Sequence, residues 1–281
     1  MKMISKVFSC ILAFSSLLGS VEGQNRYKIW YDKPASYWEE ALPIGNGRIA
    51  AMVFGDPQLE QIQLNEETVS AGSPYQNYNE EAKAALPEMR RLIFEGKYEE
   101  AQNMAATKIL SQVGNEMPYQ TVGRLNIRYQ DHKKVSNYYR DLDISNAMTV
   151  TRYKVDGVEF TEETFASFTD QLVIRHIKSS KPGAINCELF FNTPMRDPKR
   201  SIYGKKGLRL EGITHGSRYF PGKVHYCADL DVKNKGGEVT MANDTLLSVQ
   251  GASELTLYIS MATNFVNYKD ISGDPYQRNK T

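Results

Sequence analysis

The sequence predicts a mainly β protein: a large antiparallel β-sandwich carrying one short helical insert. Three observations predict it. Short β-prone runs succeed one another from residue 122 to residue 262, separated by turn residues. Seventeen tyrosines and eleven phenylalanines suit a pleated, half-buried surface. Helical periodicity is confined to one stretch, residues 87–110.

Taken in order, the chain opens with Lys2 and Lys6, an apolar run over residues 7–18 and a Val21-x-Gly23 site before Gln24. This is the pattern of a cleaved secretory signal over residues 1–23, and it predicts a secreted or periplasmic protein. The run is too short to span a bilayer. A lipoprotein would need Cys10 after the apolar run, but it lies inside it. Residues 29–31 read as a short strand that Lys33-Pro34-Ala35 breaks. Residues 38–42 lead into a Pro43-x-Gly45-Asn46-Gly47 turn, and residues 48–54 and 59–64 read as strands joined by Gly55-Asp56-Pro57. In the second of these, Leu59, Ile62 and Leu64 mark a buried face with imperfect alternation.

The helical insert follows. A proline disfavours helix at the residue before it, so Pro87 is expected as the first helical residue. Met89, Leu92, Ile93 and Phe94 form an apolar side ending at Gly96, and Tyr98, Ala101, Ala105 and Ile109 give a second amphipathic helix. Such a pair is expected to cover one sheet face. Beyond it, residues 149–155 and 158–168 flank Asp156-Gly157, a dipeptide suited to a type I′ hairpin turn. Strands over 171–178, 184–191, 207–213, 223–232, 238–241, 245–249 and 254–262 complete the series.

Net charge is +1 with no long block of one sign, which argues against a nucleic-acid surface or a polybasic membrane patch. Once residues 1–23 are removed only Cys187 and Cys227 remain. They could form one disulfide or, since both sit in apolar runs, stay as buried free thiols. No CxxC or HxxxH spacing supplies metal ligands, and His215 and His225 flank a turn without further pattern, so no metal and no cofactor is expected. Gly45-Asn46-Gly47-Arg48-Ile49-Ala50 formally satisfies G-x-G-x-x-A, but a dinucleotide fingerprint needs a helix after it and a β-prone run follows. The glycines are better read as permitting a tight turn.

Glycoside hydrolysis requires two carboxyl groups about 6.5–9.5 Å apart for inversion or about 5–5.5 Å for retention. Glu39, Glu40, Glu66, Glu67, Glu162 and Glu163 are the candidate acids, with Glu162 and Glu163 expected on a solvated strand face. No Gly-x-Ser-x-Gly elbow, HExxH or P-loop is present. Asn243-Asp244-Thr245 and Asn279-Lys280-Thr281 have the glycosylation pattern.

Residues 30–74 hold both tryptophans and the densest pattern in the chain. Trp30-Tyr31, Pro34-Ala35, Trp38-x-Glu40-Ala41-Leu42-Pro43-Ile44-Gly45-Asn46-Gly47-Arg48, Ala51 to Gly55 (AMVFG) and Gln61 to Thr68 (QIQLNEET) resemble the amino-terminal domain of glycoside hydrolase family 95. The stretches at 86–102, 117–123, 138–144 and 262–275 fit too, so the resemblance runs from about Tyr27 to the last residues. Those enzymes are α-L-fucosidases, some preferring α-L-galactosides. The resemblance implies a β-super-sandwich over residues 24–265 and the start of a linker over 266–281. It further implies an (α/α)6 catalytic barrel and a small carboxy-terminal β-domain. The implied mechanism is inverting: a Glu acid protonates the leaving oxygen, while a water held by Asn side chains and an Asp attacks the other face. Those groups belong to the barrel, so no catalytic residue carries over to this chain. One departure is Ser70, where the family commonly has an aromatic residue.

The polar groups of the motif, with its tryptophan, suit a surface buried against a second domain. Trp38, Asn46, Arg48, Asn65 and Glu66 are therefore the candidates for a seat under the barrel or for the rim of its cleft. The implied partners are a fucosylated glycan and the barrel, with no nucleic acid and no membrane span. The polar stretch 269–281 reads as a linker, and the chain as truncated and inactive alone. A carbohydrate-binding module or a purely structural domain is the alternative; the first needs exposed aromatic platforms.

Overall fold

The computed structural model describes residues 27–111, 117–216 and 220–279. The signal segment and the sequon at Asn279-Lys280-Thr281 fall wholly or partly outside them. Sixteen strands among the described residues form two antiparallel sheets. The nine-stranded sheet has the order β1-β6-β7-β8-β9-β16-β13-β12-β11, and the seven-stranded sheet the order β14-β15-β10-β5-β4-β3-β2. In chain order the strands are β1 Lys28–Tyr31, β2 Leu42–Gly45, β3 Ile49–Val53, β4 Leu59–Glu66, β5 Gly123–Tyr129, β6 Val135–Asp143, β7 Met148–Val155 and β8 Val158–Ala166. They continue with β9 Val173–Ser179, β10 Ile185–Asn192, β11 Arg196–Tyr203, β12 Gly207–Ile213, β13 His225–Lys235, β14 Glu238–Asn243, β15 Leu246–Ala252 and β16 Glu254–Thr263. The sandwich expected from the sequence is what forms.

Most strands alternate, and their inward set makes one continuous core. Ile62 and Leu64 of β4, Leu125 and Ile127 of β5 and Leu189 of β10 meet Ile177 of β9, Leu230 of β13 and Leu257 of β16 across the interior. Burial of this kind, at about 25 cal/mol per Å² of apolar surface, is the main force holding the sheets together. Asp156 and Gly157 both adopt positive φ at the β7–β8 hairpin, as the Asp-Gly pair predicts. Cys187 and Cys227 are buried free thiols.

Four sequence expectations are corrected. The Pro43-x-Gly45 portion of the turn is strand β2, which Pro43 tolerates because β2 is a sheet edge where an amide N–H has no partner to meet. The first helix, α1, runs over Ala82–Phe94 with Pro87 inside it rather than at its start. Alanines at 82, 84 and 85 carry the helix through, and Pro87 lies exposed, where water can solvate the carbonyl left without an N–H. Next, α1 and α2 (Tyr98–Met104, extended by a wide turn at Ala105–Ile109) make their main contacts with one another rather than with a sheet face. Leu92 and Ala101 are buried between them, while Phe94 stays 89% exposed. Finally, Glu162 is in the core, not on a solvated face.

The interior therefore contains ions. Glu60 of β4 and Glu162 of β8 both meet the Arg175 guanidinium of β9, and all three side chains are inaccessible to solvent. Arg175 Nη1 donates to Thr164 Oγ1 at 2.8 Å. Glu162 accepts from the hydroxyls of Tyr129 and Tyr153 at 2.6 and 2.7 Å, and Glu60 from the backbone N–H groups of Phe54 and Gly55. Burial pushes the Glu60 carboxyl up to about 7, against the pull of Arg175. After β16 the chain folds back, and a short turn of helix, α3 (Pro275–Arg278), brings Asn279 against Asp229 at 2.8 Å.

Candidate functional site

Of the five residues singled out in the sequence, the structure joins three. The turn between β2 and β3 is shaped by Asn46, whose Oδ1 accepts from the backbone N–H of Arg48 and Ile49 at 3.0 and 2.9 Å. Gly47 supplies the positive φ of 96° that the turn needs. Asn46 Nδ2 then donates to the Ser167 carbonyl at 2.8 Å, tying this turn to the β8–β9 turn of the opposite sheet.

Arg48 extends the clasp. Its Nε donates to Gln171 Oε1 at 2.7 Å, and its Nη1 to the Met261 carbonyl at 2.9 Å. The same Nη1 stands 3.4 Å from Glu66 Oε1. Glu66 Oε2 accepts from the backbone N–H and hydroxyl of Thr68 at 2.8 and 2.6 Å. The Thr68 hydroxyl in turn meets that of Thr263. Burial raises the Glu66 carboxyl, while the Thr68 hydrogen bonds and Arg48 pull it down. A single guanidinium thus spans both sheets at one end of the sandwich. The chain after Gly45-Asn46-Gly47 enters strand β3, not a helix, so no dinucleotide site exists there.

Asn65 points to the other face of β4, where it bonds the hydroxyl of Tyr119, which also donates to the Glu66 carbonyl at 2.9 Å. Trp38 lies apart, half-exposed in a 3-10 turn (Trp38–Glu40) near the start of β4. Leu59 and Glu66 are seven residues apart on that strand, so the two places are separated by roughly 23 Å.

Two cavities open beside the clasp. One of about 360 Å³ is lined by Arg48, Glu66, Thr68, Thr263 and Phe265. The other, about 680 Å³, is lined by Glu67, Thr68, Tyr75, Met117, Phe265 and Tyr268. Chemically this end offers one shielded carboxylate, already paired with Arg48, beside apolar and aromatic walls. The acids Glu60 and Glu162 are sealed in the core beyond the reach of any substrate. Sequence reading missed Gln171, the acceptor of both Asn46 and Arg48, which sits at φ 57° in the β8–β9 turn. Nothing in its local pattern marks it.

The model of "Glycosyl hydrolase family 65, N-terminal domain" matches residues 29–268. The chain belongs to that family: it is an amino-terminal β-sandwich domain of the glycoside hydrolase kind. It is 31% identical over 261 residues to "Alpha-L-fucosidase 2" of Arabidopsis thaliana, covering 85% of this chain and 30% of that protein. It is 22% identical over 272 residues to "Probable alpha-fucosidase A" of Aspergillus oryzae, covering 92% of this chain and 36% of that protein. The counterpart of the same name from Aspergillus niger is 26% identical over 162 residues. The chain thus spans between a fifth and about a third of the length of these curated relatives.

Proposed function

We propose that this chain is the amino-terminal domain of an exported, inverting α-L-fucosidase of the family 95 kind, which removes terminal α-L-fucosyl residues from glycans in concert with an (α/α)6 barrel. The similarity to α-fucosidases along 85% of the chain carries this reading. The charged start and apolar run of residues 1–23 support export to the periplasm or outside the cell. In this reading the Asn46–Arg48–Glu66 clasp and neighbouring Asn65 form the seat on which the barrel rests. The 680 Å³ cavity beside it faces the rim of the catalytic cleft. The chemistry itself is assigned to the barrel, because Glu66 is engaged by Arg48 and Thr68 and the remaining buried carboxylates are inaccessible. A preference for α-L-galactosides is the competing specificity.

Two measurements test this. The purified 281-residue protein should not turn over an aryl α-L-fucoside, and activity above a mock preparation would refute the division of labour. A chimaera placing this chain in front of the remaining two thirds of the Arabidopsis relative should cleave the aryl fucoside. Arg48→Ala in that chimaera should cut kcat/KM by about tenfold or more, the loss expected when a positioning contact is removed. A folded chimaera whose activity ignores Arg48 would overturn the seat.

A further inference from the structure

We propose that the cavity beside Trp38 is a glycan-binding site, separate from the clasp and taking a neutral pyranose at the end of an oligosaccharide. The surface cavity has a volume of about 620 Å³, within the usual range for small-ligand sites, and Tyr37, Trp38, Phe54, Asp56, Gln61 and Arg124 line it. Its chemistry is that of sugar recognition. Trp38 is 49% and Tyr37 58% exposed, offering aromatic faces to the C–H side of a ring. Around them stand planar polar groups that read hydroxyls. Asp56 spends Oδ1 on the backbone N–H of Gln58 and Leu59, at 2.7 and 3.1 Å, and Oδ2 has no protein partner among the described residues. Arg124 donates Nη1 to Gln61 Oε1 at 2.6 Å, and its remaining N–H groups have no hydrogen-bond partner there.

The fold holds the aromatic residues in place from below. Arg140 is fully buried, and its Nε and Nη1 donate to the carbonyls of Lys33 and Glu40, both at 2.8 Å. One guanidinium therefore anchors both ends of the loop that carries Tyr37 and Trp38, with the Tyr31 ring 4.2 Å from its carbon. Ala35 N–H donates to the Phe54 carbonyl at 3.0 Å, Ser36 N–H to Glu40 Oε2 at 2.9 Å, and the Tyr37 hydroxyl is bonded to Glu40. Gly55 makes the approach possible: at φ 75°, a Cβ there would lie 2.6 Å from the Tyr138 hydroxyl and 2.9 Å from Arg140 Cδ. Exposed aromatics on a loop this tightly fixed lose little entropy when a ligand arrives, which is how a binding surface is preorganised.

The site rests on its own geometry; only the choice of a fucosylated probe rests on the proposed function. Trp30 and Trp38 are the two tryptophans, so Trp30→Phe leaves Trp38 as sole reporter in the 281-residue protein. Titration with fucosyllactose should change its fluorescence saturably, with a Kd of about 1 mM or below. Asp56→Asn keeps the Oδ1 turn but changes Oδ2, and should weaken binding about tenfold with an unchanged circular dichroism spectrum. Trp38→Ala should abolish the saturation-transfer NMR signal of the sugar. Lactose bound as tightly as fucosyllactose would uphold the glycan site while removing fucose as its recognised sugar. Absence of saturable binding to both sugars, or binding indifferent to Asp56→Asn and Trp38→Ala, would overturn the proposal.

Discussion

Replacing Arg175 by Met should be among the most damaging single changes in this domain, and the damage should depend on pH. Arg175 is wholly buried and is the cation between Glu60 and Glu162. Methionine fills much of the volume but returns nothing to the two carboxylates. Removing one partner of a buried ion pair costs about 3–5 kcal/mol, far more than the pair contributes relative to an apolar replacement. For a domain of this size about 1 kcal/mol shifts Tm by roughly 2–4 °C, so the midpoint should fall by roughly 6–20 °C. The carboxyls can escape the penalty by taking up protons. Without the guanidinium the Glu60 carboxyl, already raised by burial, loses the charge that pulls it down, so the native state binds more protons than the unfolded state across the neutral range. Stability is then present at low pH and lost as pH climbs, and the deficit against wild type should be smaller near pH 5 than near pH 8. Arg175→Lys, which keeps the charge but not the planar fork, should fall between the two. Urea denaturation followed by circular dichroism at both pH values is the assay. A loss below about 1 kcal/mol, or one equal at the two pH values, would refute the claim that Arg175 holds two buried carboxylates.

Two further outcomes follow from the same structure. Burial raises Glu60 from 4.5 to about 7, so the wild-type domain should lose about 3 kcal/mol of stability as pH rises through that window, and Glu60→Gln should flatten the slope; an unaltered slope would place the proton elsewhere. Burial also pushes the Cys187 thiol up and the Cys227 thiol up to about 12, so neither should react with a disulfide reagent near pH 8 until denaturant is added; labelling of the native protein within minutes would contradict their burial.

The sandwich was legible because turn chemistry and alternation agree along most of the chain. Asp156-Gly157 and the runs of β7 and β8 define one hairpin without help from tertiary context. Strand β11 was not legible: Arg-Asp-Pro-Lys-Arg-Ser-Ile-Tyr has no apolar period, since it is an exposed edge where proline and charge deter pairing with other chains. The imperfect alternation of β4 has a different cause. Its inward positions are Glu60, Ile62, Leu64 and Glu66, a regular period of two, with Leu59 on the opposite face. Hydrophobicity was the wrong measure there, because each glutamate is matched by an arginine: Glu60 by Arg175, 115 residues on, and Glu66 by Arg48 in the neighbouring hairpin. Of the acids flagged, sequence could not separate Glu162, which faces the core, from its neighbour Glu163, only half-buried on the other face.

The dense motif over residues 30–74 therefore resolves into two separate arrangements at opposite ends of one strand. At the carboxyl end of β4, Glu66 and Arg48 bind the two sheets together, and few other residue types could replace them without stranding a buried charge. At the amino end, the Trp38 loop is tied to Arg140 of β6 and to the Phe54 carbonyl beside β3, through its backbone, while the Trp38 and Tyr37 rings face outward. Arg140 is committed to holding the loop that carries the exposed rings, and its Nη2 has no hydrogen-bond partner among the described residues. If the proposed glycan covers the half-exposed Trp38, the two ends should respond differently to mutation. Arg48 substitutions should lower stability, and Trp38 substitutions should lower binding while leaving stability nearly unchanged.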